Sequence, residues 1–252
     1  MASFVTYEYL FKNGRLGNQL WQIASTAGIA DACGSEPRFP KWEYEKYFNV
    51  PSRFFVENLP VNSRDLGTDY LQELHYFDNI ASQVKEWFEP SFQVQDELEA
   101  RYPWFFDGSH HTAIHVRRGD YVGLPNHFPT PTFDYYTRAS DIVLETSPHT
   151  TFVVFSDDIA WCEEQFSGQV QFVRGVPRPV EVVERVGAPE DQYDLFLMAL
   201  CDKFIISNST FSWWGAYLSD SPDVFYPRTW FGPALDNQQC PAPDSWRSLE
   251  SC

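Results

Sequence analysis

The stretch HTAIHVRRGD, residues 111–120, decides the fold class of this chain. It opens with a short apolar run that predicts a β-strand, and polar residues follow the run at once. From this strand onward, predicted strands alternate with predicted helices. Such alternation predicts a parallel, doubly wound α/β sheet. The further strands are expected at 150–158, 170–173, 203–207 and 223–227, and the helices at 131–148, 159–166, 191–202 and 210–219.

The N-terminal part also begins with a strand, a glycine-rich turn and a helix. Residues 3–11 are rich in aromatic and β-branched side chains, which is typical of a strand. NGRLGN (13–18) is the turn, and apolar residues recur at helical spacing from Asn18 to Ala32. We therefore expect two α/β halves, residues 1–108 and residues 109–252.

Composition excludes several classes of protein. The 252 residues carry a formal net charge of −17, which argues against binding a nucleic-acid backbone. No segment approaches the about 18 apolar residues of a membrane span, and no secretory signal precedes the first strand. The five cysteines are odd in number and form no C-x-x-C pair, so a disulfide framework and a zinc site are both disfavoured. Reduced thiols favour a cytoplasmic location.

Polar residues are expected at the carboxyl ends of three strands, where open α/β sheets bind ligands. RRGD (117–120) follows one strand, SDD (156–158) the next and SNST (207–210) a later one. Arg117 and Arg118 are the only adjacent arginines in an acidic chain. They fit an anion clamp, a structural salt bridge or, with Gly119 and Asp120, an adhesion tripeptide. The adhesion reading is disfavoured, because such a tripeptide needs an exposed loop and this one directly follows an apolar strand.

Each remaining candidate has a structural reading beside its functional one. Hydroxyl groups around the helix start at 209–212 either cap the helix or bind phosphate. Asp158 could simply cap the next helix, whereas an aspartate at Asp157 could accept hydrogen bonds from a ribose, a base or an arginine. Without a D-x-D spacing, a metal role for the pair is disfavoured. Asp194 either complements a helix dipole or accepts from a guanine edge. His115 is either a core residue or a ligand contact, and Arg15 lies in a glycine loop that matches no standard nucleotide motif.

Four blocks together resemble the conserved blocks of the α-1,2-fucosyltransferases of glycosyltransferase family 11. The blocks are GRLGNQ (14–19), HVRRGDYV (115–122), FSDDIAW (155–161) and NSTFSWWGAYL (208–218). The resemblance implies a GT-B-type fold of two Rossmann-like halves around a donor cleft, with an acceptor side at 1–108 and a GDP-sugar side at 109–252. It also implies a GDP-fucose donor, a glycan acceptor and neither a metal nor another cofactor. The chain lacks the membrane anchor of animal members and looks like a bacterial or viral member.

The resemblance assigns site residues by position. Arg117, with Arg118 beside it, would grip the diphosphate. Asp120 is the nearest carboxylate in the motif, and it is a candidate general base, a group that orients Arg117 or a loop anchor. The other donor-binding residues it implies are His115 and Asp194 near the guanine, Ser209, Thr210, Phe211 and Ser212 along the diphosphate, Asp157 at the ribose or behind the arginine, and Arg15 and Asn18 toward the phosphate and sugar.

The implied reaction transfers fucose from GDP-β-L-fucose to a sugar hydroxyl, with inversion and an α-1,2 linkage. Two alternatives stay open at this point. The same scaffold could use another GDP-6-deoxyhexose such as GDP-rhamnose, because a fold does not fix the sugar. The chain could also be a GDP-sugar-binding protein without activity.

Overall fold

The structure, a computed structural model, describes residues 4–167, 180–183 and 191–251. It forms two compact units that divide between Glu97 and Leu98. The sequence pattern favoured a boundary at residue 108. The difference has a physical reason: the Phe105 ring, before that boundary, stacks on His111 of the second unit with ring centroids 4.2 Å apart. The predicted strand at 170–173 lies outside the described residues.

The first unit is a parallel sheet of four strands with helices. Its strand order is β3-β2-β1-β4, and every pairing is parallel. The predicted strand at 3–11 is shorter than expected, because the chain turns after Thr6 and Asn13 donates a hydrogen bond to the Tyr7 hydroxyl. The elements are β1 (Phe4–Thr6), α1 (Leu16–Ala32), β2 (Glu36–Pro40), β3 (Phe55–Val56), β4 (Ser63–Asp65), α2 (Ala81–Phe88) and α3 (Phe92–Arg101), which crosses into the second unit.

The second unit is a parallel sheet of six strands in the order β10-β9-β8-β5-β6-β7. The chain builds outward from the central β5 through β6 to β7, then returns to β8 on the other side of β5 and continues to β10. The expected doubly wound α/β sheet is thus confirmed. The elements are β5 (His111–Val116), α4 (Phe133–Thr146), β6 (Thr151–Ser156), α5 (Ile159–Ser167), β7 (Val180–Val183), α6 (Asp191–Ala199), β8 (Lys203–Ile205), α7 (Thr210–Leu218), β9 (Val224–Pro227) and β10 (Arg247–Leu249).

A buried cluster between the sheet and helices α4 and α5 fixes the strand ends of the second unit. Ile114 of β5 and Val154 of β6 pack there with Tyr135 and Tyr136 of α4. The Tyr135 hydroxyl donates to the carbonyl oxygen of Ile206 at 2.7 Å, and the carbonyl of Phe225 lies 3.1 Å away. One helix side chain therefore links the end of β8 to the neighbouring strand β9. Among the described residues, no helix is both long enough and apolar enough to cross a bilayer.

Candidate active site

The strand order defines where a ligand crevice forms in the second unit. The winding reverses between β5 and β8, and in open α/β sheets ligands bind outside the carboxyl ends of the strands at such a switch point. The His115 Nδ1 of β5 shares a 2.8 Å hydrogen bond with the hydroxyl of Ser207, which follows β8. Both residues are buried, and the His115 ring lies 5.7 Å from that of Phe211 between centroids. His115 and the start of α7 therefore meet at the switch point.

Arg117 leaves the end of β5 with its guanidinium held on two sides. Its Nη1 lies 2.6 Å from Oδ2 of Asp157, and its Nη2 donates to Oδ1 of Asp120. The guanidinium carbon also lies over the Tyr121 ring, 5.0 Å from the centroid. The Arg117 side chain is 14% exposed and that of Asp120 57% exposed. Arg117 is thus oriented by a buried carboxylate and contacted by a second, solvent-facing one.

Asp157 is the anchor of this loop. Its Oδ2 contacts Arg117, and its Oδ1 accepts from the backbone N–H of Arg118 at 2.9 Å. A Cβ atom at Gly119 would lie 2.4 Å from the same Oδ2, so only a glycine permits this close approach. Of the two roles considered for Asp157, the contacts fit the one in which it supports the arginine.

Arg118 has a different set of partners from Arg117. Its Nε donates to Oδ2 of Asp158 at 3.0 Å, and its guanidinium lies 4.3 Å from the centroid of the Trp161 ring. The other oxygen of Asp158 accepts from the N–H of Trp161 in the first turn of α5. Arg118 therefore makes a structural salt bridge to the start of α5. The structural salt bridge considered for the pair is thus present at Arg118, and Arg117 also makes salt bridges, to Asp120 and Asp157.

The arginine pair does not form a bare positive patch. Two guanidiniums face three carboxylates, those of Asp120, Asp157 and Asp158. Any anion that approached Arg117 would therefore have to compete with a carboxylate, and the exposed one is that of Asp120. The sequence places Asp120 directly beside the arginine pair. Spacing alone could not show that Asp157 and Asp158 pack against the two arginines as well.

The start of α7 is built from hydroxyl groups that cap the helix. The Ser209 hydroxyl accepts from the N–H of Phe211 at 3.4 Å, and the Ser212 hydroxyl donates to the carbonyl of Ser209 at 3.3 Å. Thr210 is the first residue of the helix and is partly exposed. The capping interpretation is confirmed for Ser209, and the same helix start lies next to His115.

Asn208 is a residue that sequence reasoning missed. Its amide Nδ2 donates to the carbonyl of Trp230 at 2.9 Å. Its Oδ1 is buried and has no hydrogen-bond partner among the described residues. The sequence signal was its position within SNST, directly after a strand, but no role was assigned to it there.

Asp194 lies in the first turn of α6, partly buried, and α6 packs against α7. The contact between the two helices is close, since a Cβ at Gly215 of α7 would lie 2.6 Å from Sδ of Met198 in α6. The predicted guanine role of Asp194 stays a prediction.

The two remaining predicted site residues belong to the first unit. Arg15 is exposed at the N-cap position of α1, and Asn18 accepts a hydrogen bond from Gln72 at 3.1 Å. Gly14 has φ +91°, and a Cβ there would lie 2.2 Å from Nδ2 of Asn18. Gly14 is therefore required both by its backbone conformation and by its contact with Asn18.

No group of three or more His, Cys, Asp or Glu side chains could hold a metal ion in the described parts of the chain. The adjacent carboxylates of Asp157 and Asp158 are used by the two arginines instead.

The sequence model of glycosyl transferase family 11 matches residues 22–227. The chain belongs to this family. The family 11 chain is 37% identical over 144 residues to the O-antigen biosynthesis glycosyltransferase WbnK of Escherichia coli. The matched segment covers 55% of this chain and 44% of the relative. It is 28% identical to an α-1,2-colitosyltransferase of Escherichia coli (84% of this chain, 69% of the relative). It is 26% identical to a galactoside 2-α-L-fucosyltransferase of Caenorhabditis elegans (87% and 69%).

Solved fucosyltransferases share the fold of this family 11 member at low identity. Arabidopsis thaliana FUT1 in complex with GDP has a TM-score of 0.59 at 12% identity (91% of this chain, 72% of that chain). POFUT1 in complex with GDP-fucose has a TM-score of 0.54 at 12% identity (89% and 97%). NodZ α-1,6-fucosyltransferase soaked with GDP-fucose has a TM-score of 0.52 at 14% identity (90% and 96%). The expected GT-B-type class, with two α/β units, is thus confirmed.

Proposed function

We propose that this family 11 glycosyltransferase moves L-fucose from GDP-β-L-fucose to a sugar hydroxyl, with inversion and formation of an α-1,2 linkage. The observation that carries the proposal is the placement of Arg117. Asp157 holds its guanidinium at the carboxyl end of β5, the strand whose His115 lies against Phe211 at the start of α7. This is where a nucleotide diphosphate is expected in a doubly wound sheet.

The relatives support the donor and the linkage. Two of them are named for α-1,2 transfer of colitose or for 2-α-L-fucosyl transfer to a galactoside, and two solved proteins of the same fold hold GDP-fucose. The colitosyltransferase also favours a second candidate function. In that candidate, the same site uses a different GDP-linked deoxy sugar, and the reaction class is unchanged.

The chemistry needs a group that stabilises a departing diphosphate. In an oxocarbenium-like transition state, negative charge grows on GDP as the bond to the sugar breaks. A guanidinium is always charged and can donate to two phosphate oxygens together. Amide and hydroxyl groups at a helix start add to this stabilisation. Arg117 and the start of α7 at Ser209–Ser212 therefore supply what a divalent cation supplies elsewhere, and we propose that transfer needs no metal.

Asp120 is the proposed general base. It is the exposed carboxylate of the arginine cluster, and the Arg117 Nη2 that it accepts from is also a donor that a phosphate can use. When a phosphate oxygen takes that N–H, the carboxylate loses its partner and becomes free to accept the proton of an acceptor hydroxyl. Arg118 acts through Asp158 and the start of α5 to hold the loop in place.

The further donor contacts are proposed from the family resemblance. His115 and Asp194 would lie toward the guanine, and Thr210 and Phe211 along the diphosphate. For Arg15 and Asn18 of the first unit, donor contact stays a prediction.

The test is a panel of GDP-sugars offered with a β-galactoside acceptor in the presence of EDTA. Mass spectrometry of the product and its fragments reports the transferred sugar and the linkage. We expect fucose transfer that EDTA does not reduce. Arg117→Ala should lower turnover by about a hundredfold or more, the loss typical of one transition-state donor. Arg247→Ala, which removes an exposed arginine paired with Asp223, is the matched control.

Three outcomes decide between the candidates. Transfer of another deoxy sugar in preference to fucose would favour the second candidate. GDP binding without turnover of any donor would indicate a binding protein. Loss of activity in EDTA, restored by a divalent cation, would contradict the metal-free mechanism.

A further inference from the structure

Three planar groups, the Arg117 guanidinium and the rings of Tyr121 and Phe128, form a stacked column at the predicted diphosphate site. The guanidinium of Arg117 lies over the ring of Tyr121, with its carbon 5.0 Å from the ring centroid. The Phe128 ring stacks on Tyr121, with centroids 4.7 Å apart and ring planes 18° from parallel. Nothing in the proposed reaction uses Tyr121 or Phe128, so the column needs a separate explanation.

The far end of this column is fixed to the protein. The N–H groups of His127 and Phe128 both donate to the carbonyl of Leu124 at 2.9 Å, which closes a turn. Two further bonds join the turn to the segment after β9: Gly232 donates to the carbonyl of His127 and Ala234 to that of Asn126, both at 2.8 Å.

The turn and that segment lie in close contact. A Cβ at Gly232 would lie 2.4 Å from the Asn126 carbonyl oxygen, so the glycine is required for the approach. The Phe128 ring also lies 6.4 Å from that of Phe231. The aromatic side of the column therefore rests on backbone that is itself anchored.

The two carboxylates alone do not fix the tilt of the Arg117 guanidinium plane. Asp157 and Asp120 accept from the edge of the guanidinium, and such contacts tolerate a rocking of its plane. A ring against the flat face opposes this rocking, because a cation is attracted to the face of an aromatic ring. Bidentate donation to a phosphate depends on the orientation of that plane.

We propose that Tyr121 is a positioning residue that sets the plane of the Arg117 guanidinium, and that Phe128 supports it from behind. Tyr121 acts through Arg117 and touches neither the donor nor the acceptor. The inference rests on the proposed function, since it takes Arg117 as the ligand of a diphosphate. It extends that function by assigning two aromatic residues of the loop after RRGD to donor binding.

The experiment measures GDP binding by calorimetry, and transfer kinetics with GDP-fucose, for Tyr121→Leu, Tyr121→Phe and Phe128→Leu. Tyr121→Leu should weaken GDP binding and lower kcat by about tenfold, since small displacements of a catalytic contact are costly. Phe128→Leu should act in the same direction and less strongly. Tyr121→Phe keeps the ring and should retain activity within about twofold. Phe92→Leu removes a ring that is 76% exposed in the first unit and is the matched control.

A double-variant cycle separates positioning from a general structural role. In an Arg117→Ala background, Tyr121→Leu should have no further effect on GDP affinity, because its target is gone. An equal loss in both backgrounds would overturn the proposal. A rise in KM for the acceptor alone, with GDP affinity unchanged, would also overturn it and would make the rings an acceptor contact instead.

The same measurements distinguish this proposal from the proposed function. If the unaltered protein transfers no fucose from GDP-fucose, the proposed function fails. If transfer is seen and Arg117→Ala leaves it and GDP binding unchanged, Arg117 is not the diphosphate ligand and the positioning role is overturned. If Arg117→Ala is inactive while both Tyr121→Leu and Phe128→Leu behave as the unaltered protein, only the positioning role fails. Should Tyr121→Leu not fold, as judged by circular dichroism, the comparison of Phe128→Leu with Phe92→Leu decides.

Discussion

The carboxylate of Asp157 packs against the α-carbon of Gly119, with a Cβ at that position falling 2.4 Å from Oδ2 and 3.2 Å from Cγ. The same carboxylate holds Arg117 and the backbone of Arg118. The loop after β5 is therefore shaped around one side chain that arrives from the end of β6.

Gly119→Ala should remove activity without unfolding the protein. The new methyl group would displace Asp157 and with it Arg117, and a displacement of about 1 Å can cost about a hundredfold in rate. Transfer kinetics and the thermal unfolding midpoint are the measurements. Gly123→Ala is the control, because it lies in the same short 3-10 helix and a Cβ there meets nothing within 4 Å. Equal losses in both variants would contradict the role given to the Asp157 contact.

Asp120→Asn should separate donor binding from transfer. Removing the negative charge removes a competitor for Nη2 of Arg117, so GDP should bind more tightly. Loss of a general base should lower kcat by about a hundredfold or more. Calorimetry with GDP and steady-state kinetics measure the two effects. Asp134→Asn, which breaks an exposed pair with Arg138, is the control. Tighter GDP binding with unchanged kcat would exclude Asp120 as the base.

Gly14→Ala should destabilise the first unit more than Gly67→Ala does. Both glycines have positive φ, +91° and +82°, so both variants strain the backbone. At Gly14 the new Cβ also meets Asn18, whereas at Gly67 it meets nothing within 4 Å. We expect the difference to reach about 1–3 kcal/mol, the usual cost of overpacking. Urea unfolding of the two variants gives it directly, and equal midpoints would show that Asn18 moves aside freely.

Stability should fall as the pH drops through the titration range of histidine because of His111. Burial lowers the pKa of His111, while Asp107 and Asp202 partly oppose the shift. Below the unfolded pKa of about 6.5 the unfolded chain therefore binds a proton that the folded chain resists. This contribution to the free energy of unfolding is fully present above the unfolded pKa. It decreases as the pH falls from there to the lowered pKa of His111 in the folded protein. The thermal midpoint, measured between about pH 8 and pH 5, should show this fall.

The control for this effect keeps the aromatic contact. His111→Phe can stack on Phe105 as the imidazole does, but it cannot be protonated. Its thermal midpoint should depend less on pH over the same range. His149→Gln removes an exposed histidine instead. If both variants show the same pH dependence, His111 does not carry it.

The parts of the fold that the sequence predicted are those with a strong local pattern. The β5 strand was predicted as a short apolar strand, and all six of its residues are buried, although His111, Thr112 and His115 are polar. The α4 helix begins after Pro131 and ends before Pro148, close to the predicted limits. The β10 strand, Arg247–Leu249, was missed because three residues of mixed polarity carry no period. Its strand character comes from pairing with β9, which is not a local property.

The candidate site was predictable in its residues and less so in its contacts. Strand ends indicated where polar groups gather, and this brought His115, Arg117 and Ser209 into one region. The resemblance placed Asp157 at the ribose or behind the arginine, and its contact with Arg117 fits the second place. The pairing of Asp158 with Arg118 could not be predicted, since the two residues lie 40 positions apart in the chain. The Tyr121–Phe128 stack was missed, although two aromatic residues close behind RRGD were a signal that could have been read.

The charge balance around the arginine pair has a consequence for how the protein responds to ionic strength. Three carboxylates lie within contact distance of the two guanidiniums. Dissolved salt therefore weakens both the repulsion of an incoming anion by the carboxylates and its attraction to the guanidiniums. Recognition here depends on the fit of oxygens to N–H groups more than on an excess of positive charge. Under the proposed function, we therefore expect free inorganic phosphate to bind poorly here and to compete little with a GDP-sugar.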